Sequence, residues 1–367
     1  MSYELTSAEA RRLWSETVLN SLQTVFDDPW FSSLWTLQEA FLRTDAYILG
    51  REGVKTETVI YFLSSFYTAC GSIYRKIVTV LAEEEILWEP LVPCLKKILE
   101  LVEASGCYAL SANSPIALYG AARYRKTSRP SDRIYGIMQV FGLVLGESAD
   151  PNRTIGVEEL ENQFSRSLNE RSVFLAQTFV HLGASNAGKS WQVSEYSAVP
   201  EVARGGITRP EPNCEIVFED NENSRFVGKS CGFSALSQYW REVSRSPTRA
   251  INVPVQTIHL DYLPELEDRL PWWCWSLDLG FDERQHDISR WLIEAIPSSL
   301  VVGLLGSYKG IKRGRVTRSF AGLILRQNAT GDPSRYSRVG FCLWEDVDSG
   351  SNGIATVNWQ ECNLRLE

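Results

Sequence analysis

The apolar residues of this chain change their spacing once, and that change constrains the fold more than any other feature. As far as about Arg171 they recur at helical intervals. Leu13, Trp14, Val18, Leu22, Val25 and Phe26 form one stripe, and Phe31, Leu34, Gln38, Phe41 and Leu42 form the next, with an amide among apolar side chains. After about Ser185 the pattern shortens to extended runs separated by turn residues. Glu215-Ile216-Val217-Phe218 and Arg225-Phe226-Val227, joined by Asp220-Asn221-Glu222-Asn223, read as a hairpin. One texture followed by the other predicts an α+β protein, largely helical first and β-richer second, rather than alternating βα units. At 367 residues the chain exceeds the size at which a single core usually stops growing. The reading is therefore a helical domain over 1–182, a linker rich in glycine and serine over 183–206, and a β-rich domain over 207–367.

Local signals place the elements. Thr6 with Glu9 forms a capping box, and Asp28-Pro29 supplies an N-cap and a first-turn proline for the next helix. Residues 46–49 suggest a short strand ending at Gly50. Helices are predicted over 56–87 with one or two breaks, 91–104, 116–124 and 158–171, and Ser131 should cap a helix carrying Ile134, Ile137, Met138 and Phe141. Beyond the hairpin, strands are predicted over 255–260, 319–325, 339–344 and 355–359, with a helix over 288–296.

Charge and cysteine usage exclude several classes. A net charge of -8 argues against nucleic acid as a partner, because phosphate contacts demand a clustered basic face. The one basic cluster, Arg123 to Arg129, reads as a solvated helix end. The eight cysteines contain no C-x-x-C pair and the three histidines are far apart, so neither a metal site nor a disulfide framework is expected, and no cofactor is. The opening residues lack the features of a signal peptide, and the longest apolar run, 300–305, is far short of the ~20 residues that cross a bilayer. A cytoplasmic protein with no membrane partner is the expectation.

Two local patterns invite chemistry. Gly183-Ala184-Ser185-Asn186-Ala187-Gly188-Lys189-Ser190 is a literal G-x-x-x-x-G-K-S, the loop that cradles phosphates between a strand and a helix. Trp191-Gln192-Val193-Ser194-Glu195 is a poor helix opening, and the only Walker-B candidate is Ile258-His259-Leu260-Asp261, so a linker is the preferred reading. Gly228-Lys229-Ser230-Cys231-Gly232 matches the G-x-S-x-G nucleophile elbow, with His286 and Asp278 or Asp282 as possible partners. A glycine-rich turn after the hairpin is preferred there.

Two further segments carry a resemblance. Pro29-Trp30-Phe31-Ser32-Ser33-Leu34-Trp35-Thr36-Leu37-Gln38-Glu39 and Ser128-Arg129-Pro130-Ser131-Asp132-Arg133-Ile134-Tyr135-Gly136-Ile137 are similar to the W-F-x-x-x-W-x-L-Q-E helix and the P-x-D-x-I-Y motif of the fungal heterokaryon-incompatibility (HET) domain. Leu270-Pro271-Trp272-Trp273-Cys274-Trp275 is a weaker echo of a downstream element of that family. The family's opening strand and its W-I-D-x-x-C-I-like motif have no match before Trp30, so the chain resembles a HET-domain protein lacking the N-terminal part of the domain. The resemblance implies a partial fold like that of Toll/interleukin-receptor (TIR) domains. It also implies intracellular recognition or signalling in self/non-self discrimination through protein contacts, with programmed cell death as the outcome. Trp35, Gln38 and Glu39 would form the site, and Arg129, Asp132, Arg133 and Tyr135 would be architectural or interface residues.

Trp35 with Glu39 also has the spacing of the W-C-x-x-E helix whose glutamate serves NAD cleavage in enzymatic TIR domains. A carboxylate there would steady an oxocarbenium-like ribose. The preferred reading is local, Glu39 pairing with Arg43 one turn on. The alternative function is accordingly an enzyme, either cleaving NAD at Glu39 or acting on a small metabolite of secondary metabolism in an aromatic pocket, and a small-molecule or nucleotide ligand stands beside protein partners as an expectation. Trp272, Trp273 and Trp275, with Trp291, Trp344 and Trp359, would line that pocket or a binding face, although a large core is the preferred reading of so many indoles. If the two motif helices meet, Phe31, Leu34 and Trp35 should pack on the helix with Ile134, Ile137 and Met138, and Gln38 should be hydrogen-bonded.

Overall fold

The structure, a computed structural model, describes residues 7–49, 52–53, 62–82, 90–112, 115–146, 155–185, 188–194, 196–200, 203, 207–219, 223–244, 256–269, 285–296, 299–312, 315–328, 334–345 and 357–367. It is an α+β protein. The chain divides into two compact units, Met1–Leu145 and Gly146–Glu367. The division falls ahead of the predicted linker, and each unit is described by itself.

In the first unit the described elements are helices: α1 (Ala8–Phe26), α2 (Leu34–Leu42), α3 (Leu63–Ala82), α4 (Val92–Ala104), α5 (Cys107–Ala112), α6 (Pro115–Ala122) and α7 (Asp132–Met138). Ser7 caps α1, its hydroxyl accepting from the Ala10 amide at 3.1 Å, whereas Thr6 of the expected capping box lies outside the described residues. Helical spacing builds the core: Tyr67, Cys70, Tyr74 and Ile77 of α3 meet Leu95, Ile98 and Val102 of α4. Tyr74 stacks on Tyr108 with ring centroids 4.1 Å apart and donates its hydroxyl to Glu103 at 2.8 Å. Instead of a strand over 46–49 there are isolated bridge positions at Tyr47, opposite Phe62, and at Leu49.

The second unit is built on strands. One long helix, α8 (Val157–Gln177), precedes a two-stranded pair, β1 (Val180–His181) and β2 (Ser197–Ala198). Then come β3 (Thr208–Pro212), β4 (Glu215–Phe218), β5 (Ser224–Gly232), α9 (Phe233–Ser244), β6 (Gln256–Leu260), α10 (Gln285–Ala295), β7 (Leu300–Lys312), β8 (Arg315–Gln327), β9 (Arg335–Glu345) and β10 (Gln360–Leu366). The predicted hairpin is β4 with the start of β5, Phe218 opposite Ser224. The strand expected over 355–359 instead begins at Gln360, because that segment gains its ladder from β5.

The pairings close a ring. β7 pairs with β8, β8 with β9, β9 with β10, β10 with β5, and β5 returns to β7 through Ser230 opposite Gly303. β3, β4 and β6 each pair with one strand of the ring, on β7, β5 and β9 respectively. Val302, Leu304, Phe320, Ile324, Cys342 and Trp344 share the face packed with α9 and α10. On the opposite face Phe226, Leu323 and Phe341 are fully buried, and the Phe226 ring lies so close to Gly303 that a Cβ there would meet it at 2.7 Å. Burial on both faces explains why β9 reads as a continuous apolar run rather than an alternating one.

The described residues of 183–206 fall within this unit. Trp191, Val193, Ala198 and Val199 are all buried. Ser190, Ser194 and Ser197 make hydrogen bonds within the unit.

Candidate functional site

The two motif segments of the first unit do come together, although not as the stripe predicted. Pro29–Ser32 is a 3-10 turn, capped by Asp28 through a 2.8 Å bond from the Trp30 amide, and Ser33 is extended before α2 begins at Leu34. The later start rotates the helix. Leu34, Leu37, Gln38 and Ala40 face inward, while Trp35 (46% exposed), Glu39 and Leu42 (49% exposed) share the outward face. Phe31 packs against Phe26 and Phe66 instead of α7.

Leu34 is the residue that meets α7. It sits over Gly136, where a Cβ would approach it to 3.2 Å, and Ile134 and Ile137 are buried beside it on α7. Gln38 is 7% exposed and donates from Nε2 to Gln139 Oε1 at 2.8 Å, the partner a buried amide requires. Ser131 adopts helical dihedrals and makes no capping bond. The entry to α7 is held instead by Thr127, whose hydroxyl donates to Asp132 Oδ2 at 2.9 Å and to the Arg129 carbonyl at 3.0 Å. Asp132 is thus architectural. Arg129 is exposed, and Arg133 and Tyr135 are half-buried.

Arg125 overturns the reading of the basic cluster as a solvated helix end. α6 stops at Ala122, and Arg125 is 4% exposed. Its guanidinium donates to the carbonyls of Trp30, Phe31 and Ser105, so it ties the 3-10 turn to the C-terminal end of α4. Burial lowers its pKa to about 10. The backbone repeats the link, with Lys126 N bonded to the Ser32 carbonyl at 2.7 Å and Leu34 N to the Lys126 carbonyl at 3.2 Å. Gly106, at a φ of 72° just after α4, lets Leu37 approach a position where a Cβ would stand 2.7 Å from it. Because lysine presents no planar fork, Arg125→Lys is expected to leave carbonyls unpaired and to cost about 2 kcal/mol, read as a lower urea midpoint for this unit.

Glu39 lies on the outward face of α2. It is exposed, and Arg43 pairs with Asp45 at 3.2 Å rather than with Glu39. Of the tryptophans weighed for a pocket, Trp344 is buried in the core of the second unit and Trp291 and Trp359 pack against it. Trp272, Trp273 and Trp275 lie outside the described residues, as do Asp278, Asp282 and the side chain of His286. Ser230 is no elbow nucleophile: it lies within β5, paired with Gln360 on one side and Gly303 on the other.

The G-x-x-x-x-G-K-S segment follows a strand, β1, but no helix opens at Lys189 or Ser190. Lys189 is held by Glu158 at 2.6 Å, and the Ser190 hydroxyl donates to the Glu367 carbonyl and accepts from the Arg338 amide. Neither side chain is arranged for phosphate or magnesium. Beside the segment lies a cavity of about 160 Å³, its walls including Glu161, His181, Lys189, Gln192, Ser194 and Tyr196.

Behind that cavity a buried polar network fastens the segment to the sheet. Arg338 of β9 is paired with Asp261 at 3.2 Å, both side chains almost wholly buried. Asp261, the supposed Walker-B acid, also accepts the His181 amide at 2.9 Å. Arg338 donates to Gln177 Oε1 at 3.3 Å and to the Phe179 carbonyl, with its guanidinium 3.9 Å from the Phe179 ring centre. Gln177 passes its own amide protons to Asn169 and to the Trp191 carbonyl, each at 2.9 Å. His181 Nε2 lies 2.9 Å from the Ser190 carbonyl, and burial lowers the imidazole pKa. Among the described residues no cluster of His, Cys, Asp or Glu could hold a metal ion, and no helix is long and apolar enough to cross a membrane. The seven described cysteines are free thiols.

No family model, no curated protein and no solved structure matches this chain.

Proposed function

We propose that the protein is a HET-domain-like recognition and signalling module of fungal self/non-self discrimination, acting in the cytoplasm through protein contacts with cell death as its outcome. The observation that carries the reading is the division of α2. Its inward face meets the second motif through Leu34 over Gly136 and bonds Gln139 just beyond it through Gln38, while Trp35, Glu39 and Leu42 stand together in solvent. An exposed indole beside a carboxylate suits an interface anchor, since Trp supplies large contact area at little entropic cost.

Inducible expression in a filamentous fungal host tests the proposal. The wild-type chain is expected to arrest growth and kill cells, and Trp35→Ala and Glu39→Lys to abolish the effect at unchanged protein level. Cell death that persists in both variants removes α2 from the mechanism, and the absence of any growth phenotype with the wild-type chain removes the family reading. The purified chain is expected to release no nicotinamide from NAD. Turnover abolished by Glu39→Ala would make it an enzyme instead.

A further inference from the structure

Gly228 of β5 stands between two cysteines. It is the ladder partner of Cys362 on β10, and partner positions carry their side chains to one face of the sheet, with Cβ atoms about 4.5–5.5 Å apart. On that face, where Gly228 has no side chain, a Cβ would meet Cys214 Cβ at 2.8 Å and Cys214 Cα at 3.2 Å. Cys214, between β3 and β4, and Cys362 therefore share the space above the glycine. A disulfide asks for Cβ atoms about 3.5–4.5 Å apart, an approach that a side chain at 228 would block. Each thiol is half-buried and unbridged. They already act on one another: burial first, and Cys362 next, push the Cys214 thiol up to about 12. Cys362 is raised as well, by burial, against hydrogen bonds from the Ser230 hydroxyl and the Gly228 backbone that favour its thiolate.

We propose that Cys214 and Cys362 are a redox pair, which a peroxide converts to a disulfide that pins β10 to the entry of β4. The Cys362 sulfur, the one with hydrogen bonds favouring its thiolate, attacks the peroxide: an S–O bond forms, the O–O bond breaks, and the leaving hydroxide takes up a proton to become water. The Cys214 sulfur then displaces the hydroxyl of the resulting sulfenic acid, an S–S bond replacing the S–O bond, and the departing hydroxide leaves with the Cys214 proton as a second water. Two thiols and one hydrogen peroxide thus give one disulfide and two waters. Because both thiols are held above their ordinary range, the reaction is slow at neutral pH and quickens as alkali makes thiolate. β10 meets β9 at Arg335 and Tyr336 and runs along β5 from Gln360 to Leu366, so a bond beside Gly228 fixes a strand that closes the ring. The inference concerns the second unit alone and does not rest on the function proposed above.

Non-reducing peptide mapping of the full chain, after hydrogen peroxide at pH 7 and at pH 9, tests it. The expected product is a pair of peptides linked through Cys214 and Cys362, formed faster at pH 9, cleaved by dithiothreitol and absent from Cys214→Ser and Cys362→Ser. Peroxide should raise the melting temperature of the wild type several degrees above that of either variant treated in the same way. Both reduced variants should melt within a few degrees of the reduced wild type, so that a missing link is not unfolding. A wild-type chain that stays folded by circular dichroism and forms no such link overturns the proposal. So does a link from either cysteine to another thiol or to a second chain, or a link that leaves the melting temperature unchanged.

Discussion

Arg338→Met is expected to remove about 3–5 kcal/mol from the stability of the second unit, the typical loss when one partner of a buried ion pair is deleted. The loss has little to do with the strength of the pair itself. Arg338 and Asp261 are both almost completely buried, so methionine would leave a carboxylate out of water with the His181 amide as its remaining partner among the described residues. Gln177 Oε1 and the Phe179 carbonyl would lose their donor as well, each a further cost of order 1 kcal/mol. Against a usual domain stability of about 5–15 kcal/mol, such a loss moves the urea midpoint far to the left.

The double variant separates causes. If the penalty comes from a stranded charge, Arg338→Met combined with Asp261→Asn should cost clearly less than the sum of the two single changes, a coupling above about 1 kcal/mol. Additive effects would mean that each residue packs independently and that the network is not what anchors the 179–193 segment. A single-variant loss under about 1 kcal/mol would be equally damaging to the argument.

That network also marks where the sequence stopped being readable. Segment 183–206 has the composition of a linker, yet Ser190 bonds to Glu367 and the Trp191 carbonyl accepts from Gln177 in a packed unit. Composition reports polarity, not whether polarity faces water or another polar group. Arg125 was misread for the same reason, since three carbonyls from distant parts of the chain replace its water. α3 and α4 were legible because each buries one stripe, and β9 because both its faces are buried, whereas α5 at Cys107–Ala112 was not foreseen. β10 was not, since Gln-Glu-Cys-Asn-Leu-Arg-Leu has little strand character and is extended only because β5 pairs with it. In α2 the helical period was right and its phase wrong. A 3-10 turn at Pro29–Ser32 delayed the start and turned Trp35 outward.

Acidification is expected to unfold the second unit well above the pH at which carboxylates alone would do so. His259 is fully buried against Phe341, ring centres 5.2 Å apart, and its Nε2 has no hydrogen-bond partner among the described residues. Burial lowers its pKa to about 3. His181 is lowered in the same direction, first by burial, with the Asp261 carboxylate pulling upward and the Arg338 guanidinium downward. In the unfolded chain both imidazoles return to about 6.5. Below that value the unfolded state binds protons that the native state refuses, so stability falls with pH from about 6.5 towards 3. For His259 alone the loss between pH 7 and pH 5 is about 2 kcal/mol, and His181 adds to it with the same sign. His259→Gln should therefore unfold with a flatter pH dependence than the wild type over this interval, whatever its stability at pH 7. Urea unfolding at pH 7, 6 and 5 reads the slope directly. An unchanged slope in the variant would mean that His259 is protonated in the native unit and that water reaches its ring.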